Sequence, residues 1–402
     1  MARPALIKTL DITSVRASLE AHSRFLDGRS GGRRANFSYA DLSNFDLSGV
    51  DLCDAEFTGA RLNGTILSDA KLDRAVLFGV DLRDADLRRC SLNRADLRGA
   101  CLRGANLAGA DLAGCDLREG MIALQDMTQG FRILKHEKRA GELDFAVLSG
   151  ANLQGAQMTG AQACATDFSD ADLSGAQLGG ARLCNAVMDG ANMTGAQLYQ
   201  ADLTGASMRG TVVVGANIGD ATVDRGALAE TLRAPPPIFY IDDQPLDEVL
   251  RAHEQWCVSH GGGGLAARLS EVDFRPIRTL AERRLTALVA PNSVFFGLNM
   301  KAVQLQGSDL SGADLRSTDL RGADLRGAKL RDAQLNRADL RGARLGPLPI
   351  DGGRVVRTDL SRAVLRHADL RAADLRRSRL LGADLGGAKL DGADMDGAET
   401  EV

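Results

Sequence analysis

Aromatic side chains are scarce in this sequence: Phe, Tyr and Trp make up 4% of 402 residues, with a single Trp. A core without rings must be filled by small and aliphatic groups in tight, regular stacking, and 44% hydrophobic content with 45 Gly supplies them. The length allows two or three domains. Long apolar runs are missing as well. No stretch approaches the ~18 residues that a membrane helix needs, and Met1 to Lys8 lack the apolar run of a secretory signal. The expectation is a soluble, cytoplasmic protein with no membrane partner. Neither sign of charge dominates, since 49 Lys and Arg against 53 Asp and Glu leave −4. The chain as a whole is therefore not marked as a nucleic-acid binder. The 7 cysteines, an odd count, read as reduced thiols. P-loop, GxGxxG, GxSxG and HExxH signatures are absent, which removes the common catalytic frames.

What the chain does have is a period of five. From Ala35 it reads ANFSY, ADLSN, FDLSG, VDLCD, AEFTG, ARLNG, with apolar centres from Phe37, Leu42 and Leu47 to Met127. After an interruption the phase moves by one residue and a second run carries centres from Leu143 to Val223; a third extends from Met300 to Met395. Such repetition decides the architecture before any propensity does. Five suits neither regular element, because successive centres would sit ~140° apart on a helix and alternate faces on a flat strand. Each unit must contain its own bend. In Ala323-Asp324-Leu325-Arg326-Gly327 the Ala and the Leu are two apart and point inward, while Asp324, Arg326 and Gly327 face water or form the corner. The same register puts Cys90 and Cys115 at small inward places and Cys53, Cys164 and Cys184 outward. One side and one corner per unit closes a coil of about twenty residues, stacked at the ~4.8 Å strand spacing. In that coil Leu305, Leu325, Leu345, Leu365 and Leu385 share one side, and Phe37, Phe57, Leu77, Leu97 and Leu117 another.

The A-[DN]-L-x-x pattern resembles the pentapeptide-repeat family. The resemblance implies an all-β solenoid, a right-handed quadrilateral β-helix, here in two tandem copies with short helical caps.

The two copies are read from a second repetition. Ala21-His22, Phe25-Leu26, Gly31-Gly32 and Ala35 recur as Ala252-His253, Trp256-Cys257, Gly263-Gly264 and Ala267, after a proline-rich break from Arg233 to Ile238. The expected organisation is a helical cap at 1–34, with Thr13 as N-cap, and a first β-helix at 35–230 with a loop insertion at 128–142. A linker and second cap follow at 231–266, with Pro245 opening the helix. A second β-helix occupies 267–402, and an insertion at 276–294, around Leu280, Arg283, Arg284 and Leu288, is expected to form a short helix. The spacings Val15, Leu19, His22, Leu26 and Leu246, Leu250, His253, Cys257 are helical, and such caps cover open sheet edges.

Candidate sites are few. His22, Phe25, His253 and Trp256 are read as structural cap residues. His253, Cys257 and His260 have metal-ligand spacing, but the first copy matches only the first of them, with His22. No metal and no cofactor is therefore expected. Arg316, Arg321, Arg326, Arg331 and Arg341 could form a nucleic-acid patch, yet residues 295–402 hold 18 basic against 16 acidic groups, and a salt-laced wall is the stronger reading. The insertion carrying Phe131, Leu134, Lys135 and Arg139 mixes apolar and basic residues on a projection and is the candidate partner-binding loop.

These observations point to a non-catalytic scaffold for protein–protein interaction, partner unassigned, and not to an enzyme. The alternative comes from the resemblance, since some bacterial members mimic B-form DNA and bind DNA gyrase, and some confer fluoroquinolone resistance. Residues 35–127 carry 15 acidic and 10 basic groups and residues 143–228 carry 8 and 3, so the first solenoid is acidic. A column of about nine coils would be ~43 Å long, where DNA carries ~25 phosphate charges. The density is under half that of DNA.

Overall fold

The structure is a computed structural model describing residues 7–128, 131–224, 226–229, 231–234, 238–350 and 353–400, with backbone alone between 122 and 137. Contacts divide the chain into two compact units, Met1–Ala234 and Pro235–Val402.

The first unit is a coil. Parallel bridges join Asn36 to Glu56, Asp41 to Arg61, Asp46 to Ile66 and Asp51 to Lys71, each pair twenty residues apart. Four units of five residues therefore make one turn. The backbone explains why the unit has its composition, and Ala85 to Arg89 shows all five donors. Ala85 N–H closes the corner turn on Leu82 O (3.2 Å), Asp86 N–H donates to Thr65 O (3.0 Å) in the preceding coil, and Leu87 and Arg89 N–H donate to Asn106 O (2.7 Å) and Ala108 O (3.1 Å) in the next. The remaining donor, Arg88 N–H, reaches no strand and is accepted by the Asp86 side chain at 3.2 Å. That bond recurs from Asp41 to Asp394, with Asn as the substitute at Asn106, Asn152 and Asn192. At some units whose second position is neither Asp nor Asn, a carboxylate one coil back accepts instead, as Asp73 does for Asn93 N–H (2.9 Å) and Asp144 for Cys164 N–H (2.8 Å). The fifth position turns the corner at positive φ, 65° at Gly49, 62° at Asp54 and 54° at Arg89. At Gly59 a Cβ would stand 2.7 Å from the Tyr39 ring.

First and third positions fill the axis: Ala85, Leu87, Ala95 and Leu97 are all buried. Rings stack where Phe replaces Leu, at 5.4 Å between Phe37 and Phe57 and 4.3 Å between Phe274 and Phe295.

The coil is interrupted in three places. Bridges that span twenty residues jump to forty-one between Cys101 and Glu142, because Gly120–Thr128 and Phe131–Arg139 leave the wall as an antiparallel hairpin. This first wall hairpin is a strand pair and not a loop, and the regular run ends at Leu117; Met127 lies in the hairpin. The coil resumes across it, one residue out of phase, and extends to Leu232 opposite Val212. In the second unit the coil begins at Arg268, bridged to Val289. The helix expected at 276–294 is absent. A single extra residue is absorbed by a 3-10 turn at Arg275–Ile277, and Thr279, Arg284 and Val289 are already on the ladders. The third interruption was not expected. Bridges jump to thirty residues at Lys329 to Asp359 and Arg344 to Asp374, around a short second wall hairpin of Leu348–Pro349 with Val355–Val356. Leu345 therefore stacks under Leu375 and Leu365 over Leu335, which corrects the ladder drawn from a constant twenty. Ten residues are two whole units, so the insertion leaves the phase intact and hides in the sequence.

Helices cap each unit. Helix α1 spans Ile12–Leu26 and is capped by Asp11, not Thr13, accepting Ser14 N–H at 2.7 Å. Ahead of it Lys8–Thr9 adds a parallel strand to Ala40–Asp41. Helix α2 spans Leu246–Val258, with Pro245 one residue outside it at the N-cap. Arg283 occupies a first-position place but turns to α2, pairing with Asp247 (2.8 Å) and Glu254 (2.7 Å).

Denaturant melts of the full chain test this register. Leu325→Ala is expected to cost about 2–5 kcal/mol through lost burial and a residual cavity, and Arg321→Ala to stay within about 1 kcal/mol. Asp309→Ala should cost about 1 kcal/mol by orphaning Ser311 N–H, and Asp309→Asn should recover most of it. Equal losses for Ala and Asn would show that the acceptor is not what the position provides.

Candidate functional site

The first wall hairpin is held by its foot. Gly120 pairs with Arg139, and a Cβ on Gly120 would lie 3.0 Å from the Arg98 backbone and from the Phe78 ring. Gly141 is pressed against Leu117 O, so the chain regains the wall only without a side chain there. Of the expected docking residues, Arg139 stands at this foot. Phe131, Leu134 and Lys135 lie in the returning strand, opposite Thr128, Gln125 and Leu124, and their side chains fall outside the described residues.

Beside the foot is a cleft of about 520 Å³ lined by Asp81, Arg83, Asp84, Cys101, Arg103, Arg139 and Glu142. Its lining charges balance, three guanidiniums against three carboxylates. Arg83 clasps Asp81 at 2.6 and 2.8 Å; burial draws the Asp81 pKa up, but the hydrogen bonds and charge of Arg83 hold it below the ordinary value. Arg139 approaches Glu142 at 3.5 Å, and the Cys101 thiol donates to the other Glu142 oxygen at 3.1 Å. Burial and the Glu142 carboxylate push that thiol up to about 11, which favours the protonated form that donates to Glu142. Arg103 lies over the Phe145 ring at 5.4 Å, and Phe145, at the corner, is 57% exposed. The arrangement offers charge, hydrogen bonds and one accessible ring beside them. Sequence reading missed Cys101, Arg103, Phe145 and Glu142 because they meet only after the chain has made one turn with the hairpin inserted in it.

The cap residues are built alike in the two units. His22 Nδ1 accepts Ala35 N–H at 3.1 Å and His253 Nδ1 accepts Ala267 N–H at 3.0 Å, both rings wholly buried. Phe25 and Trp256 stack on them at 5.8 and 5.6 Å. Cys257 Sγ is 3.6 Å from His253 Nε2 and 3.4 Å from Thr286 O, while His260 is exposed beyond the helix end. Among the described residues no group of three or more His, Cys, Asp or Glu could hold a metal ion. Two cysteines read as reduced thiols are joined: Cys164 and Cys184, outward and twenty residues apart, form a disulfide at a Cα separation of 4.6 Å. They occupy one rung position in successive coils, which brings outward side chains into contact.

The arginines considered as a nucleic-acid patch are paired. Arg316, Arg321, Arg326 and Arg341 each bond the Asp two residues before them at 2.6–2.7 Å, and Arg331 bonds Asp359 at 3.2 Å. Arg321 and Arg341 also reach Asp339 (3.6 Å) and Asp369 (3.7 Å) one coil on, so the wall is a zipper of alternating charge.

A family model described as pentapeptide repeats matches in 8 copies, over residues 33–69, 70–107, 100–119, 142–178, 171–210, 308–346 and 358–397. The coil at 268–307 lies outside these matches; there Arg283, Leu288, Ser293, Leu298 and Val303 stand where Ala is usual. No curated protein matches the chain. Among solved structures it resembles the pentapeptide repeat protein Rfr23 from the cyanobacterium Cyanothece 51142, at 23% identity over 33% of this chain and 85% of that one, with a TM-score of 0.26. It also resembles QnrB1, a plasmid-mediated fluoroquinolone resistance protein, at 15% identity over 48% and 90%, with a TM-score of 0.22. HetL, a pentapeptide repeat protein involved in heterocyst differentiation regulation from the cyanobacterium Nostoc, matches at 22% identity over 97% and 96%, with a TM-score of 0.14. Superpositions this loose carry no weight beside the repeats themselves.

Burial holds the His22 and His253 imidazoles below the ordinary 6.5, against the opposing pull of Asp51 and Asp54 on His22. The unfolded chain takes up protons as pH falls past that value and the folded chain resists them, so stability is full above 6.5 and is lost as pH falls toward the lowered values. His367, pushed down to about 4 by burial and by Arg337 and Arg366, adds to the loss. The melting temperature should therefore decline between about pH 7 and pH 5. His22→Gln should remove part of that decline; an unaltered slope would take His22 out of the account.

Proposed function

Because this chain belongs to the pentapeptide-repeat family, we propose that it is a non-catalytic scaffold that binds another protein, each unit a right-handed quadrilateral β-helix and the two a tandem duplication. The observation that carries the docking assignment is the first wall hairpin, which breaks an otherwise regular wall at a cleft bearing Arg83, Arg103 and Arg139, with the exposed ring of Phe145 under Arg103. Apolar and basic residues on a projection suit a contact in which a ring anchors and guanidiniums orient. Phe131, Leu134, Lys135 and Arg139 are the residues assigned to it. The shared hydrogen bond from Ala N–H to His Nδ1 at both caps, at 3.1 and 3.0 Å, supports the duplication. Among the described residues no helix is long and apolar enough to cross a membrane.

A second reading, binding to DNA gyrase as a DNA mimic, is favoured by the acidity of the first unit, −5 over 35–127 and −5 over 143–228. It is weakened by pairing, since Arg83, Arg88 and Arg98 neutralise Asp81, Asp86 and Asp96 at 2.6–2.7 Å. A gyrase supercoiling assay separates the two readings, inhibition by the purified protein favouring mimicry.

Replacing residues 123–136 by a two-residue Asn-Gly turn is expected to leave the melting temperature nearly unchanged, because a surface hairpin contributes little to a coil that closes beneath it. Recovery of the partner on affinity capture from the native cell should then be lost. Full recovery with the shortened hairpin would reject the assignment.

A further inference from the structure

The second wall hairpin leaves a different cleft from the first. On this side of the second unit the ladder runs Asp324, Arg344, Asp374, and the residues two places after Asp324 and Asp374 are Arg326 and Arg376. The rung between them, after Arg344, is Gly346, where the chain leaves for the hairpin. With no side chain on that rung a cleft of about 380 Å³ opens, lined by Arg326, Arg344, Arg376, Arg377, Asp374 and Asp396, with the hairpin prolines beside them. A Cβ at Gly346 would stand 2.9 Å from Asp374 Oδ2, so the gap depends on glycine.

Charge distinguishes this cleft. The cleft at the first hairpin is balanced, whereas here four guanidiniums line the space against two carboxylates. Of these two carboxylates, Asp374 is also spent. Asp374 takes Arg376 Nε and Nη2 at 2.9 Å each and Arg376 N–H at 3.1 Å. Asp324, 11% exposed behind the lining, takes Arg326 at 2.7 and 2.8 Å and Arg344 at 3.2 Å; Asp394 shares Arg376 at 3.5 Å. Arg344 makes one bond through Nη1 and keeps its other donors, with its side chain 53% exposed. Arg377, exposed at the corner with φ 51°, has no side-chain hydrogen bond or ion pair among the described residues.

From this geometry we infer that the cleft at Gly346 is a binding site for a phosphate-class oxyanion, held by Arg344 and Arg377 with Arg326 and Arg376 as the fixed positive rim. Planar guanidiniums with free parallel N–H donors match a tetrahedral dianion. The volume exceeds that of a phosphate and accommodates the group that carries it. The ligand is either a small phosphate compound or a phosphorylated side chain. The inference does not rest on the scaffold reading, whose test lies in the other unit.

Calorimetric titration of the full chain with inorganic phosphate at low ionic strength tests it, with acetate as the carboxylate comparison. Saturable phosphate binding is expected, stronger than acetate, and weakened at least ~10-fold, about 1.4 kcal/mol, in the Arg344→Gln/Arg377→Gln double variant. Arg371→Gln, an arginine 44% exposed and paired with Asp369 on another face, should bind as the parent does. Arg377→Gln alone, which breaks no bond, serves if the double variant melts early. A phosphoserine peptide binding more tightly than free phosphate assigns the site to a phosphorylated side chain, and equal affinity assigns it to a small anion. No saturable binding, or equal weakening in Arg371→Gln, would overturn the inference.

Discussion

In each five-residue unit one backbone N–H points where no neighbouring strand can accept it, and the rest of the molecule follows from how that donor is satisfied. Four of the five donors close the corner or reach the adjacent coils, as in Ala85, Asp86, Leu87 and Arg89. The fifth, at the position after the central Leu, needs a short acceptor two residues back. Asp and Asn are the side chains of that length, so they recur at the second position, and carboxylates recur along the walls among other residues, as at Asp41, Arg61 and Asp81. The inward Ala and Leu make the core, and the Asx bond satisfies the one donor that the neighbouring coils leave over.

Those carboxylates set the electrostatics. A carboxylate whose Oδ1 is already taken by the backbone presents Oδ2 to whatever stands beside it, and arginine at the fourth position completes a clasp, as in Arg321 with Asp319 at 2.6 Å. Because the coils are in register, the same arginine faces the next Asp as well, at 3.6 Å to Asp339. A regular wall is therefore self-neutralising and a poor discriminator of partners. The clasps are interrupted where the register is broken. Both wall hairpins remove side chains from a rung, at Gly120 and Gly141 in one unit and at Gly346 in the other, and both leave a cleft lined by arginines and carboxylates. The first is charge-balanced with a ring exposed; the second is rich in cations. Two insertions on one scaffold thus present different chemistry.

The caps obey a related constraint. A coil that starts in solvent would leave the donors of its first side unpaired, and a buried histidine supplies one acceptor in each unit, to Ala35 and to Ala267. Since the ring must be neutral on Nδ1 to accept, burial and function reinforce each other. In the second unit Arg283 gives up an inward alanine's place to bind Asp247 and Glu254, tying α2 to the coil by charge as well as by packing.

The period of five, the inward Ala and Leu and the His at the start of each unit were legible in the sequence, because each is a local pattern that recurs. Two things were not. The recurring Asp was visible, yet its reason appears only when the backbone donors are traced through adjacent coils. The boundaries of the coil were misjudged wherever an insertion respected the phase: Ile122 and Met127 continue the spacing by coincidence, and the ten residues after Gly346 equal two units and shift Leu345 from Leu365 to Leu375 without a mark. Conversely, one extra residue near Pro276 moved the phase and disguised regular coil as a helix. Which side chains share a rung is a property of the number of residues per turn, and an insertion changes that number while leaving every local pattern intact. The contacts of Cys101 with Glu142, of Cys164 with Cys184 and of Arg344 with Asp324 were therefore settled by tertiary structure alone.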